Sequence, residues 1–303
     1  MTHVPVLTAE MLQFLQPARG GLYVDCTVGL GGHTRALLES GATRVIGLDR
    51  DPYALAEARV TLAPWGDRVS LVHADYRELD QVLDRQGIGP VDGALADLGI
   101  SSMQLEMAGR GFSFQRDEPL DMRMDTTQGP TAADLIAEAA ETELADAIYQ
   151  YGEERFSRRI ARAIVTARET APVATTGQLA ALVRRAVPHR GYSRIDPSTR
   201  TFQALRIWTN RELEGLDQFV ESAARRLRVG ARLVVIAFHS LEDGVVKHTL
   251  RALERGRLLV KVLTKKPIAP GEEEVSRNPR ARSAKLRAAE RLAWPVDPQA
   301  GVA

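Results

Sequence analysis

A chain of 303 residues, 44% apolar and 26% charged, is long enough for one large packed domain or for a domain that carries a smaller one. A net charge of +1 excludes a uniform basic or acidic field, and a single cysteine, Cys26, excludes an intrachain disulfide. Six scattered histidines lack the spacing of a zinc site, the N-terminal "MTHVPVLTAEMLQFLQ" lacks a basic leader before an apolar core, and no apolar run reaches the ~18 residues of a membrane span, so the expectation is a cytoplasmic protein without bound metal.

Taken in order, Thr8 is placed to cap a short helix reaching Leu15. "GLYVDCTVG" reads as a buried strand ending at glycines, and "HTRALLES" as a helix closed by Gly41. "TRVIGLDRD" is a second strand ending in acid, "PYALAEARVTLA" a helix opened by Pro52, "RVSLVHADY" a third strand and "VDGALADLG" a fourth. This alternation predicts parallel strands joined by right-handed crossovers, half of a doubly wound α/β sheet.

The alternation stops at Ser101. Up to about Arg211 no β-branched run of strand length occurs, whereas "TAADLIAEAAETELADAIYQYG", "ERFSRRIARAIVTARE" and "TTGQLAALVRRAV" space their apolar residues as helices do. The expectation is an inserted all-helical subdomain over 103–211, set between two pieces, 1–102 and 212–303, of one sheet domain. The sheet resumes with a helix in "ELEGLDQFVESAARRLRVG", a strand in "ARLVVIAFHS" and a helix in "VVKHTLRALERG". Extended runs near "LLVKVLTK" and "SAKLRAAERL" follow, the latter expected in an edge hairpin.

Gly29, Gly31 and Gly32 fall in the first strand-to-helix turn, which borders the ligand crevice of an open α/β sheet. They let main chain approach either a ligand or another part of the fold. Thr34 stands where a dinucleotide fingerprint has its third glycine, which argues against a pyrophosphate and against a nicotinamide dehydrogenase. The loop also lacks the lysine followed by Ser or Thr of a phosphate loop. Asp49 ends the second strand twenty residues after Gly29, where a carboxylate can accept hydrogen bonds from both hydroxyls of a ribose; the plain alternative is a tight turn with a surface acid.

Asp97 ends the fourth strand beside the same crevice. The exocyclic amine of cytosine or adenine is a weak nucleophile because its lone pair is delocalised into the ring, and an acceptor for its N–H frees that pair as a methyl group arrives. An Asp there is also an ordinary way to stop a strand. Methylation at ring carbon 5 would instead need a cysteine nucleophile, and Cys26 lies in the first strand, where it packs.

At this point the motifs become recognisable. "PVLTAE", "GLGGHTRALL", "LDRDP", "DLGISSMQL", "RGFSFQRDEPLDMRMD", "YGEERFSRRIARAI", "TRTFQALRIWTN", "FHSLED" and "EEEVSRNPRARSAKLRAAER" span nearly the whole chain in order. Together they closely resemble the bacterial family that methylates N4 of a decoding-centre cytidine in 16S ribosomal RNA. The resemblance implies a Rossmann-like class I methyltransferase sheet with S-adenosylmethionine as cofactor. It implies that Gly31, Gly32 and His33 contact the cofactor's amino-acid part, that Asp49 binds its ribose, and that Asp97 and Gln104 supply further contacts. Tyr76 stands where relatives usually carry Phe beside the adenine, a change that keeps stacking area. Asp97 is then the expected catalytic residue, orienting the cytosine amino group with help from a carbonyl of "LGIS", and the helical insertion helps to hold RNA or an assembled small subunit.

Charge is segregated in a way that suits this. Residues 151–211 hold twelve arginines against four acids, a net +8, while 101–150 carry a net −7. The arginine-rich part reads as a phosphate-binding face with Tyr192, Phe202 and Trp208 for stacking, or else as a solvated face of amphipathic helices. Asp117, Asp121 and Asp125 are spaced like metal ligands, but Arg116 and Arg123 between them favour internal ion pairs. His239 and Glu242 follow a strand on the crevice side, where they can touch RNA or cofactor or serve as structural hydrogen-bonding residues, and they are left without a catalytic role. The target base is expected unpaired or flipped out. Three rivals remain: an amino-methyltransferase acting on DNA or a metabolite, a non-catalytic RNA-binding factor that keeps the cofactor fold, and the disfavoured dehydrogenase.

Overall fold

The computed structural model describes residues 5–188, 196–256 and 259–293. The chain forms two compact units, Met1–Gly99 with Leu213–Ala303, and Ile100–Glu212. In chain order the first unit opens with α1 (Thr8–Leu15), β1 (Leu22–Asp25), α2 (Gly32–Glu39), β2 (Arg44–Asp49), α3 (Pro52–Leu62), β3 (Val69–His73), α4 (Leu79–Arg85) and β4 (Val91–Asp97). The second unit holds α5 (Ser102–Glu106), α6 (Ala132–Glu138), α7 (Glu141–Gly152), α8 (Ser157–Arg168), α9 (Thr176–Ala186) and α10 (Ser198–Asn210). The first unit resumes with α11 (Leu216–Arg226), β5 (Leu227–Ala237), α12 (Ser240–Arg255), β6 (Val260–Val262), α13 (Glu272–Arg277) and β7 (Lys285–Arg291).

The seven strands run in the order β3-β2-β1-β4-β5-β7-β6, parallel from β3 to β5 and antiparallel at β7. This is a Rossmann-like sheet, wound both ways from β1. Its strands read as unbroken apolar runs because both faces are covered. Val24, Ile46, Ala94 and Val235 point to a core shared with Phe219 and Val246, from α11 and α12. Their neighbours Tyr23, Val45, Leu95 and Val234 point to the opposite core, with Met11, Leu37 and Leu55 from α1, α2 and α3. Leu95 is fully buried, and truncating such a side chain to Ala costs about 2–5 kcal/mol.

Three local features differ from the sequence expectation. Thr8 is the first residue of α1 rather than its cap: Leu7 holds the cap position, and the Thr8 hydroxyl donates to the Pro5 carbonyl. β7 is interior, flanked by β5 and β6, and β6 is the edge. A basic segment tolerates that position because Asp243 of α12 receives both arms of the buried Arg287, Nε at 2.6 Å and Nη2 at 3.1 Å. The expected helix over 131–152 is broken, since Ala139 and Ala140 are extended. Thr131 and Asp134 form a capping box that starts α6, and the Arg168 guanidinium donates to the Ile136 carbonyl that the break leaves without a helical partner.

The helical unit packs around its own core, in which Leu144, Ile148, Ile160, Ile164, Leu179, Val183 and Leu205 are buried. Its segment 107–130 carries no helix. Here Arg110 donates to the carbonyls of Arg123 and Met124, and the buried Asn210 side chain binds Met122 and Met124 main chain, so these main-chain groups of an irregular stretch are paired.

Candidate active site at the carboxyl ends of β1, β2 and β4

In the first unit the winding of the sheet reverses between β1 and β4, and the residues that leave these strands meet there. Beyond Asp25 the chain turns through Gly29 and Gly31, both at positive φ, into α2. A Cβ on Gly31 would lie 2.9 Å from Leu62, and one on Gly32 would lie 3.1 Å from Pro5. The glycines therefore admit close approach by the fold itself on those sides. Asp49 braces the loop from the neighbouring strand: Oδ2 accepts from the Gly29 N–H at 2.8 Å and Oδ1 from the Asp51 N–H at 2.8 Å. Each oxygen keeps a second lone pair for a ligand hydroxyl.

Asp25 is completely buried at the end of β1. It accepts from the Thr34 hydroxyl at 2.8 Å and the Thr27 N–H at 3.2 Å. Thr34, the residue that spoils a dinucleotide fingerprint, is thus the partner of a buried acid. Thr27 reaches the next strand as well, its hydroxyl accepting from the Asp97 N–H at 2.6 Å. Asp25 and Thr27 were passed over in the sequence; their signal was an acid and a hydroxyl inside an otherwise apolar strand end, "VDCTV".

His33 is buried, with Nε2 2.9 Å from the Val6 carbonyl and Nδ1 3.6 Å from Asp97 Oδ2. A carbonyl only accepts, so Nε2 carries the proton and Nδ1 presents a lone pair to Asp97. Burial lowers the His33 pKa to about 4, so the contact with Asp97 is not an ion pair near neutrality. Burial first, then the charges of Asp25 and Glu242, hold Asp97 well above the usual carboxylate range. Burial likewise raises Asp25 and Asp49 to about 6. Asp97 Oδ1 is shielded and has no hydrogen-bond partner among the described residues. Three carboxyls held above their usual range, two of them near enough for Asp25 to raise Asp97, and one orphaned carboxyl oxygen suit a ligand that is itself cationic and carries hydroxyl and N–H donors, as S-adenosylmethionine does with its sulfonium, ammonium and ribose.

Tyr76 follows β3 in a short 3-10 turn that Asp75 caps. The ring is only 8% exposed and packs against Phe219 at 4.7 Å between centroids. Asp75 holds this turn by accepting from Arg77 Nε and Nη2, both at 2.8 Å, and from Arg50 at 3.2 Å. His239 caps α12, its Nδ1 3.4 Å from the Glu242 N–H, while Glu242 accepts from the Phe238 N–H at 2.9 Å. These two residues build the turn after β5. Gln104 belongs to the second unit, in a capping box with Ser101 at the start of α5.

The arginine-rich stretch of the second unit divides in two. Arg184 pairs with Asp196, Arg206 with the buried Glu212, and Arg200 donates to the Glu153 carbonyl. Arg155, Arg158, Arg159 and Arg185 are exposed. Phe202 is buried in the helical core and offers no free ring face, contrary to the sequence expectation, while Trp208 is half-buried against that core. Arg190, Tyr192 and Arg194 lie outside the described residues. Of the three spaced acids, Asp121 is paired with Arg123 at 2.8 Å, Asp117 accepts from the Gly177 N–H, and Asp125 from Thr127 and Gln128. Among the described residues no helix is long and apolar enough to cross a membrane.

Comparison with known proteins extends over almost the same length as the motifs. The profile of the MraW methylase family matches residues 1–292. A protein named ribosomal RNA small subunit methyltransferase H from Sorangium cellulosum is 52% identical over 290 residues, covering 96% of this chain and 91% of that one. Its namesake from a Cyanothece species is 54% identical over 291 residues, covering 96% and 95%. One from Geotalea uraniireducens is 48% identical over 307 residues, covering 96% and 98%.

Proposed function

The chain belongs to the MraW methylase family and is an S-adenosylmethionine-dependent methyltransferase, and on that premise we propose that it methylates the exocyclic N4 of a decoding-centre cytidine in 16S ribosomal RNA. The observation that carries the chemistry is the buried, unpartnered Oδ1 of Asp97 at the end of β4. When bound, S-adenosylmethionine supplies a methyl group made electrophilic by a sulfonium. In this reading Gly31, Gly32 and His33 form the wall for its amino-acid part, Asp49 accepts from its ribose, and Tyr76 flanks its adenine. Gln104 joins the set through its match to the motif "DLGISSMQL".

Asp97 is the catalytic residue of this proposal. As a carboxylate it accepts one N–H of the incoming cytosine amine, which turns the nitrogen lone pair out of conjugation, and it receives the proton released as the new N–C bond forms. The positive charge of the ligand favours the ionised form that burial and Asp25 disfavour. The Thr27 hydroxyl fixes the strand end by accepting from the Asp97 N–H. Cys26 is buried, with a thiol pushed well above its ordinary pKa by that burial and by Asp25, which is unsuited to attack on ring carbon 6. We assign the sheet unit to cofactor binding and transfer, and the helical unit to holding the RNA.

The test is mass mapping of nucleosides from small-subunit RNA made with and without this protein, joined to assays on stripped RNA, assembled subunits and duplex DNA. N4-methylcytidine appearing at one decoding-centre position is the expected result. A methyl group on carbon 5, or transfer to DNA alone, overturns the reading.

A further inference from the structure

The helical unit carries a cleft of about 570 Å³ between the end of α7 and the start of α8. On one wall Tyr149 stands 61% exposed, one of the few large rings left in solvent, with Asp146 one turn before it and Gln150 beside it. The other wall is Arg155, Arg158 and Arg159. The Arg155 guanidinium lies over the Phe156 ring at 4.7 Å, which holds its plane in place. Arg158 and Arg159 have neither an ion pair nor a hydrogen bond from their side chains among the described residues, in contrast to Arg184 and Arg206 of the same stretch. The same two arginines, with Arg162 and Arg185, frame a neighbouring hollow of about 400 Å³ between α8 and α9.

An exposed aromatic face beside unpaired guanidiniums is the chemistry that takes a base and its phosphates together. We propose that this cleft docks one unpaired nucleotide of an RNA strand, its base stacked on Tyr149 with Asp146 and Gln150 at the base edge, its phosphates on Arg158 and Arg159. Arg185 continues the phosphate track into the neighbouring hollow, where Arg162 is paired with Glu141. Asp146 accepts readily from the amino or imino N–H of a base, a donor that an acidic side chain does not offer. A duplex fits poorly because its base faces are stacked on one another. The inference rests on the reading of the protein as an RNA methyltransferase and adds a second contact point, on the helical unit, to the one at Asp97.

The test is fluorescence anisotropy with a short unstructured RNA and with an abasic ribose-phosphate strand of equal length, using the full chain, Tyr149→Ala, Tyr149→Phe and the double variant Arg158→Gln with Arg159→Gln. Tyr149→Ala is expected to weaken RNA binding by about five-fold or more, in line with the loss of one stacked base, and to leave the abasic strand unaffected. Tyr149→Phe retains wild-type affinity. The arginine pair weakens both ligands and lowers the salt slope by about 1.4, or about 0.7 per lost phosphate contact. Tyr149→Ala binding RNA as wild type does, or losing the abasic strand equally, overturns the proposal, as does an unchanged salt slope in the double variant. Methyl transfer to small-subunit RNA is measured on the same preparations. Transfer by wild type together with unchanged binding by the variants sinks this inference alone, whereas no transfer by wild type sinks the functional reading beneath it.

Discussion

The two units carry their working charge in opposite ways. In the sheet unit it is acidic and shielded: Asp25 is buried, Asp49 and Asp97 are half-buried, and each is held above the ordinary carboxylate range by the desolvation of its carboxyl. In the helical unit it is positive and exposed, carried by Arg158 and Arg159 of α8 and Arg185 of α9, which have no side-chain partner among the described residues. Shielded acids are costly until a cation arrives, which makes a selective pocket for one small ligand. Exposed arginines cost little and attract any polyanion, which gives affinity without sequence reading.

The strongest way to break this comparison is Asp97→Ala. Methyl transfer measured with labelled cofactor in single turnovers is expected to fall by about 10²- to 10⁴-fold, with the thermal melt retained. Wild-type turnover in that variant removes Asp97 from the chemistry. Next in size is a pair of arginine changes within the helical unit. Arg206 is ion-paired to Glu212 at 2.8 Å with both nearly buried, so Arg206→Ala should destabilise by about 3–5 kcal/mol in denaturant melts. Arg158→Ala, on the exposed face, should change stability by less than about 0.5 kcal/mol. Equal effects would erase the distinction between structural and ligand-facing arginines.

Thr34→Val leaves Asp25 with one hydrogen bond fewer in a dry site and is expected to cost about 1–3 kcal/mol at neutral pH. The cost should shrink near pH 5, where Asp25, with a folded pKa of about 6, is protonated. The sign follows from linkage: a carboxyl raised from 3.8 to about 6 binds its proton more tightly in the folded chain. Its contribution to stability is therefore full below pH 3.8 and is lost as pH climbs through about 6. Such a shift corresponds to about 3 kcal/mol. Asp25→Asn should flatten that part of the melting profile of the ligand-free protein, and a profile identical to wild type would show that the burial has no energetic consequence. The smallest effect is proton release on binding S-adenosylmethionine near pH 6, read by calorimetry in buffers of different ionisation enthalpy. Affinity should rise with pH, by up to about tenfold per unit for each proton released. Proton uptake instead would contradict a cationic ligand among raised carboxyls.

Much of the site was legible because it sits where strands end. Asp49 and Asp97 close apolar runs, and the glycines announce a turn that a side chain would block, as Leu62 does against Gly31. Other parts were not legible. Nothing in "VDCTVGLGGHT" tells that Thr34 returns to Asp25, or that His33 ties the loop to Val6, because those contacts close only when α2 packs on the sheet. The interior place of β7 was hidden for the same reason, since its arginine looks like a surface residue until Asp243 of α12 is brought beside it. Phe202 was read as a stacking ring and lies in the core, whereas the exposed Tyr149 drew no reading: on a helix, one aromatic looks much like another, and only packing decides which ring faces the core.

By itself the sequence determined the chain order of the parallel strands, the helical character of the stretch after Ser101 and the family motifs, because these rest on local periodicity and on residue types that tolerate few substitutes. Only the tertiary structure decided which charges are paired and which wait for a ligand. Ionisation and pairing depend on burial and on neighbours that are distant along the chain, and neither is written in any single segment.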